Sequence, residues 1–131
     1  SPDYLARRGR PRTPEEVLQH ECLRYAHNTP HEEWRFERDG EPGFVPVPSR
    51  FSSNSGEVLL AAALAGTGLA IAPHFMVREA LTAGALEEVL ASQCPHTELG
   101  VWALYASRAG LPERVRALLE FLVARFRQGL T

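Results

Sequence analysis

The 131-residue chain contains no lysine, and its 14 arginines stand against 16 acidic residues. A net charge of -2 gives no electrostatic reason to bind nucleic acid. The one basic cluster, ARRGRPR with Arg7, Arg8, Arg10 and Arg12, reads more simply as a solvated turn than as a polyanion patch. No apolar run reaches the roughly 18 residues that span a bilayer, so no membrane partner is expected. The chain starts with neither a signal-peptide pattern nor a Met, and reads as a fragment of a cytoplasmic protein. Two cysteines, Cys22 and Cys94, make no disulfide framework and are expected as free thiols. No G-x-S-x-G occurs, nor any other nucleophile set beside a base and an orienting acid. An enzyme is therefore not expected, and no cofactor is implied.

What is present suits one soluble domain, with 44% apolar and 23% charged residues. Ser1, Pro2 and Asp3 begin a short helix that Gly9 ends. Thr13, Pro14 and Glu16 have capping-box spacing, and a second short helix runs to about His20. CLRYA at 22–26 is a strand candidate, followed by a polar loop over 27–33. WRFER alternates apolar with charged residues and leads through Asp39-Gly40 into FVPVP, which predicts a hairpin. Pro46 and Pro48 place its second strand at an edge or break it.

The stretch FSSNSGEVLLAAALAGTGLAIAP, residues 51–73, is the most unusual. Asn54 and Glu57 read as cap and third helical residue of a helix ending near Ala65, with Gly66 and Gly68 as its left-handed exit. LAIA at 69–72 reads as a buried strand. A helix over 73–84, a short strand near Glu88–Leu90 and a longer strand over 98–107 follow. A final helix carries Val115, Leu118, Leu119, Leu122 and Phe126 as one stripe. Strands alternate with helices, so the fold class is α/β with a largely parallel sheet.

From Val58 to Ala65 the central helix has no polar face. A surface helix should have one. Two coverings are open: burial within this domain, or its own sheet on one side and another subunit or subdomain on the other. Its start is surrounded by Ser52, Ser53, Asn54 and Ser55, where orphan amides and the helix dipole suit a carboxylate or phosphate oxygen. Plain capping is the competing account, and Glu57 brings its own negative charge to that end. AGTG at 65–68 fails as a dinucleotide fingerprint, because it closes a helix instead of opening one. His20, Cys22, His27 and His31 are zinc-compatible residue types. Cys22 should point into the core, however, so no metal site is expected.

Four segments together, SPDYLARRGRPRTPEEVLQHECLRY, WRFERDGE, FSSNSGEVLLAAALAGTGLAIAPHFMV and LGVWALYASRAGLPERVRALLEFLVARF, resemble the effector-binding domain of LysR-type transcriptional regulators. That resemblance covers nearly the whole chain. It implies a periplasmic-binding-protein-like fold of two α/β subdomains with an effector cleft between them. Residues 1–103 would form the second subdomain. Residues 104–131 would be the C-terminal crossover and helix belonging to the first, with the strand at 101–106 crossing back. The helix-turn-helix domain that binds DNA would lie outside this chain. The terminal helix, without its usual sheet, would need another partner, since burying one of its apolar side chains is worth roughly 1.5–3 kcal/mol.

The same resemblance implies an effector wall built from Arg24, Tyr25, Ala26 and His27, opposite Asn54 and Ser55, with Ala72, Pro73 and Phe75. Its ligand would be a small, carboxylate-bearing metabolite. Tyr25 would stack on the ligand or simply pack at the sheet edge; Arg24 would pair with its charge or face solvent. The 54–65 helix with strand 69–72 would be the face of a homodimer, or of a tetramer on DNA. The rival from another class is a periplasmic-type solute-binding module.

Overall fold

The computed structural model describes residues 1–26, 33–47, 49, 51–94, 103–105 and 110–127. The chain divides into two units, Ser1–His96 and Thr97–Thr131. In the first, helix α1 (Pro2–Arg8) begins as its sequence dictates: Ser1 Oγ accepts from Tyr4 N at 3.4 Å. Gly9, at φ 84°, ends it by donating to Leu5 O at 2.9 Å. The basic cluster is used by the fold. Arg7 donates to Gly66 O and Arg8 to Gln19 O, each at 2.9 Å, and Arg10 pairs with Glu87.

The second helix is a 3-10 helix, Pro14–Gln19, and the expected capping box does not form. Thr13 offers its carbonyl, not its hydroxyl, to Glu16 N at 3.1 Å. The Glu16 carboxylate accepts from Arg12 N at 2.7 Å instead of reaching back to Thr13. Six residues between two extended segments leave little length for an α-ladder, and the tighter turn suffices to bury Val17.

Strand β1 (Cys22–Tyr25) then begins. Strands β2 (Glu33–Arg38) and β3 (Glu41–Pro46) form the predicted hairpin. Asp39 (φ 53°) and Gly40 (φ 82°) both adopt positive φ, the signature of a type I′ turn. Arg38 pairs with Glu41, so Trp34 opposite Val45 and Phe36 opposite Gly43 share the inward face. Pro42 and Pro46 fall opposite Glu37 and Glu33, positions whose amides in such a hairpin point away from the partner strand. The prolines therefore cost no ladder bond; Pro48 lies outside the described residues.

Strand β4 (Phe51–Ser53), helix α2 (Gly56–Leu64), strand β5 (Leu69–Ala70) and helix α3 (His74–Thr82) complete this unit. The sheet is parallel, in the order β4-β1-β5. Strand β5 is two residues rather than the four of LAIA. Gly66 takes the left-handed exit expected of it, at φ 70°, but Gly68 does not. A side chain at Gly68 would collide with the backbone carbonyl of Glu21, which accepts from Leu69 N at 2.8 Å. Close approach of two backbones, not handedness, calls for glycine there.

Cys22 and Leu69 face a cluster with Tyr4, Leu5, Val17, Trp34, Phe36, Val45 and Val47. Leu23 faces the other way, against Leu59 and Ala63 of α2. No strand forms at Glu88–Leu90. Leu90 takes φ 57° and its carbonyl accepts from Gln93 N and Cys94 N, a turn that packs both Val89 and Leu90 on the larger cluster. An alternating strand would have sent them to opposite sides.

In the second unit, residues 103–105 carry no strand; the rest of the expected 98–107 strand lies outside the described residues. Helix α4 (Glu113–Arg127) forms as predicted. Val115, Leu119 and Leu122 are half-buried, whereas Leu118 and Phe126 of the same stripe are exposed.

Candidate functional site at the carboxyl edge of the sheet

Three parallel strands end on one edge, and in open α/β sheets ligands bind in the crevice outside that edge. Register brings the ends of β1 and β4 together: Tyr25 lies opposite Ser53, and Ala26 N donates to Ser53 O at 3.0 Å. The chain turns directly from β4 into α2. Ser53 Oγ accepts from Ser55 N at 3.1 Å, and Ser55 Oγ accepts from Val58 N at 3.4 Å.

Ser55, not Asn54, is therefore the N-cap. It has the extended backbone of a cap (φ -106°, ψ 118°), and its carbonyl accepts the first helical bond, from Leu59 N at 3.2 Å. The Asn54–Glu57 capping box does not form, because helix entry lies one residue later. Asn54 is left exposed at the edge, with its amide not committed to the cap. Gly56 is the first helical residue, and a Cβ on it would lie 2.5 Å from Met76 Cε of α3. Sequence reasoning named Ser53 among the residues around the helix start but missed Gly56 and Met76; only the glycine beside the cap could have hinted at them.

The nine expected wall residues divide as follows. Tyr25, Ala26, Asn54 and Ser55 meet at the junction of β1, β4 and α2. Ala72, Pro73 and Phe75 follow β5 at the same edge, with Pro73 capping α3 and Phe75 60% exposed. Arg24 is half-buried but belongs to the Cys22 face of β1, whereas Tyr25 packs against the Leu23 cluster. These two neighbours thus project to opposite sides. His27 lies outside the described residues.

The zinc-compatible residues are otherwise engaged where they are described. His20 Nδ1 lies 3.2 Å from Tyr4 Oη. Cys22 Sγ donates toward Val17 O and His20 O, each at 3.7 Å. Burial, with a contribution from Glu21, pushes the Cys22 thiol up to about 11, and burial also raises Cys94. Neither suits a thiolate nucleophile. His27 and His31 are outside the described residues, and among the described residues no three potential ligands cluster.

Residues 1–127 match the family described as the LysR substrate binding domain. The chain is 32% identical over 124 residues to the HTH-type transcriptional regulator CrgA of Neisseria meningitidis, covering 94% of this chain and 41% of that protein. To the HTH-type transcriptional activator TtdR of Escherichia coli it is 30% identical over 131 residues, 99% of this chain and 42% of that one. The chain thus spans less than half the length of these curated relatives. Among solved structures, the regulatory domain of CrgA superposes with a TM-score of 0.77 at 28% identity, covering 95% of this chain and 61% of that domain. Full-length AphB of Vibrio cholerae gives 0.74 at 26%, covering 95% and 42%. The fold is that of LysR regulatory domains, which is periplasmic-binding-protein-like, and the solute-binding alternative is not favoured. From its first residue to within its last helix, the chain belongs to the LysR substrate-binding domain family.

Proposed function

We propose that this chain senses a small anionic effector within a LysR-type transcriptional regulator, which controls transcription through a separate helix-turn-helix domain. Residues 1–103 are the second subdomain and supply one wall of the effector cleft; residues 104–131 return to the first. The protein works in the cytoplasm and is not an enzyme. Effector binding acts by population shift: a ligand that prefers the closed cleft biases the assembly on DNA.

One observation carries the ligand site. The end of β1 lies beside that of β4, Tyr25 opposite Ser53, and β4 leads through Asn54 into the Ser55-capped start of α2, where the amides of Gly56 and Glu57 precede the first intrahelical bond. Oriented amides and a helix dipole favour a carboxylate there. The assembly face is supported by α2 and the residue after β5, where Val58 (46%), Leu64 (41%) and Ile71 (48%) are exposed in the single chain. We assign that face to a homodimer.

The test is thermal denaturation of the intact regulator against small mono- and dicarboxylic acids. At least one acid should raise Tm, and Ser55→Ala and Asn54→Ala should each reduce the shift. A stabilising acid whose effect ignores both substitutions would place the ligand elsewhere. Stabilisation by uncharged solutes alone would overturn the anionic assignment.

A further inference from the structure

We propose that His20 is a proton-sensitive latch, holding helix α1 against the residue that leads into the parallel sheet's central strand only while its ring is neutral. Tyr4 of α1 is 3% exposed, and its hydroxyl sits between two groups. It accepts from Glu21 N at 2.9 Å, the amide just before β1, and it lies 3.2 Å from His20 Nδ1. The two rings are tilted by 49° with centroids 5.7 Å apart. Among the described residues the hydroxyl has no other hydrogen-bond partner.

Proton counting then fixes the chemistry. The Tyr4 oxygen takes a proton from Glu21 N, so its own proton has one place to go, the lone pair of Nδ1. His20 must carry its proton on Nε2. Charging the ring puts a second proton on Nδ1 and turns this acceptor into a donor. The Tyr4 proton then has no acceptor in a buried site, a loss typical of an unsatisfied hydroxyl.

The surroundings reinforce this. Tyr4 and Arg8 face His20 from α1, and the Arg8 charge opposes protonation. Glu16 of the 3-10 helix favours it, while Cys22 of β1 offers only a thiol, donating to His20 O. The Glu21 side chain is exposed. Burial is the largest influence and, with Arg8, outweighs Glu16 to lower the pKa of His20.

The latch lies where the fold is tied together. Glu21 O accepts from Leu69 N and is the atom that excludes a side chain at Gly68, so a shift at Glu21 reaches β5. Arg7 binds α1 to Gly66 on the same connection. Loss of the Tyr4 contacts therefore frees α1 from β1 first.

Nitrogen-detected NMR of the full 131-residue chain tests this, combined with amide hydrogen exchange between pH 5 and pH 8. His20 should show a neutral ring with its proton on Nε2 and a pKa below its ordinary 6.5. Once corrected for intrinsic rates, protection of Glu21 N should fall by up to about tenfold per pH unit below that value. Tyr4→Phe should raise the His20 pKa and expose the Glu21 amide at all pH values. If that variant does not fold, His20→Gln, whose amide oxygen can still accept from Tyr4, should keep Glu21 protected across the whole range. A neutral ring protonated on Nδ1, or Glu21 protection that ignores pH in the parent chain, overturns the proposal.

Discussion

On one face of β1, Cys22 meets residues from α1, the 3-10 helix, both hairpin strands and β5; on the other, Leu23 meets Leu59 and Ala63 of a single helix. The first cluster includes Val17 and Val47, both under 2% exposed. The second is covered by α2, whose outer side chains Val58 and Leu64 are exposed in the single chain. One face is therefore finished by the chain itself, and its burial supplies stability. The other is thin and apolar on both sides, and it carries the Ser55 tip. In the function proposed above, assembly and ligand binding fall to the face that contributes least to folding. That division suits a domain whose conformational equilibrium must be shifted by a few kcal/mol without unfolding the chain.

The sharpest way to break this comparison is to excavate each face in turn. Phe36→Ala should cost about 3–5 kcal/mol, a large share of a typical 5–15 kcal/mol total. Leu59→Ala should cost less, because its surroundings include exposed positions able to relax. Urea denaturation of the two variants decides: equal or reversed costs mean that stability does not reside on the Cys22 face.

Alkali probes the same face. The folded state keeps the Cys22 proton up to about 11, against an ordinary value of 9.0. Between those values the folded chain binds more protons than the unfolded one, so stability is full below pH 9 and falls as pH rises through the window. About two pKa units correspond to roughly 2–3 kcal/mol. Cys22→Ala should remove much of that slope and leave the part due to the raised Cys94 thiol; an unchanged slope would mean that Cys22 is not its source.

How much of this was legible depends on the range of the signal. The Ser1-Pro2 start and Gly9 stop of α1, the Asp39-Gly40 turn and the end of α2 near Ala65 follow from residues within a turn of one another, and all stand. Gly68 was misread because its reason is the Glu21 carbonyl, distant in sequence and adjacent only through the β1–β5 register. The strand expected at Glu88–Leu90 failed because two adjacent apolar residues had to face one core, which a turn achieves and a strand does not. The site followed the same rule. Apolar spacing could announce a helix with a polar tip, but not that Tyr25 would end opposite Ser53; only the family resemblance set the end of the first strand opposite the helix start, and the strand order came from the structure. Arg24 and Tyr25 are carried over together by that resemblance, and as consecutive strand residues they project to opposite faces.

Two smaller effects sharpen the comparison on the α2 side. Ser55→Ala removes the N-cap acceptor and should cost about 1 kcal/mol, whereas Asn54→Ala should stay within about 0.5 kcal/mol, as expected of an exposed residue outside the cap. Equal costs would return the cap to Asn54. Leu64→Gln should be the gentlest of all in the isolated chain, within about 0.5 kcal/mol, because the side chain is 41% exposed. Its effect should emerge in sedimentation velocity, as a shift of the intact regulator toward smaller species. A stability loss of several kcal/mol with assembly unchanged would mean that Leu64 closes the chain's own core. The outer side of α2 would then serve folding like the Cys22 face, and the division of labour between the two faces would be gone.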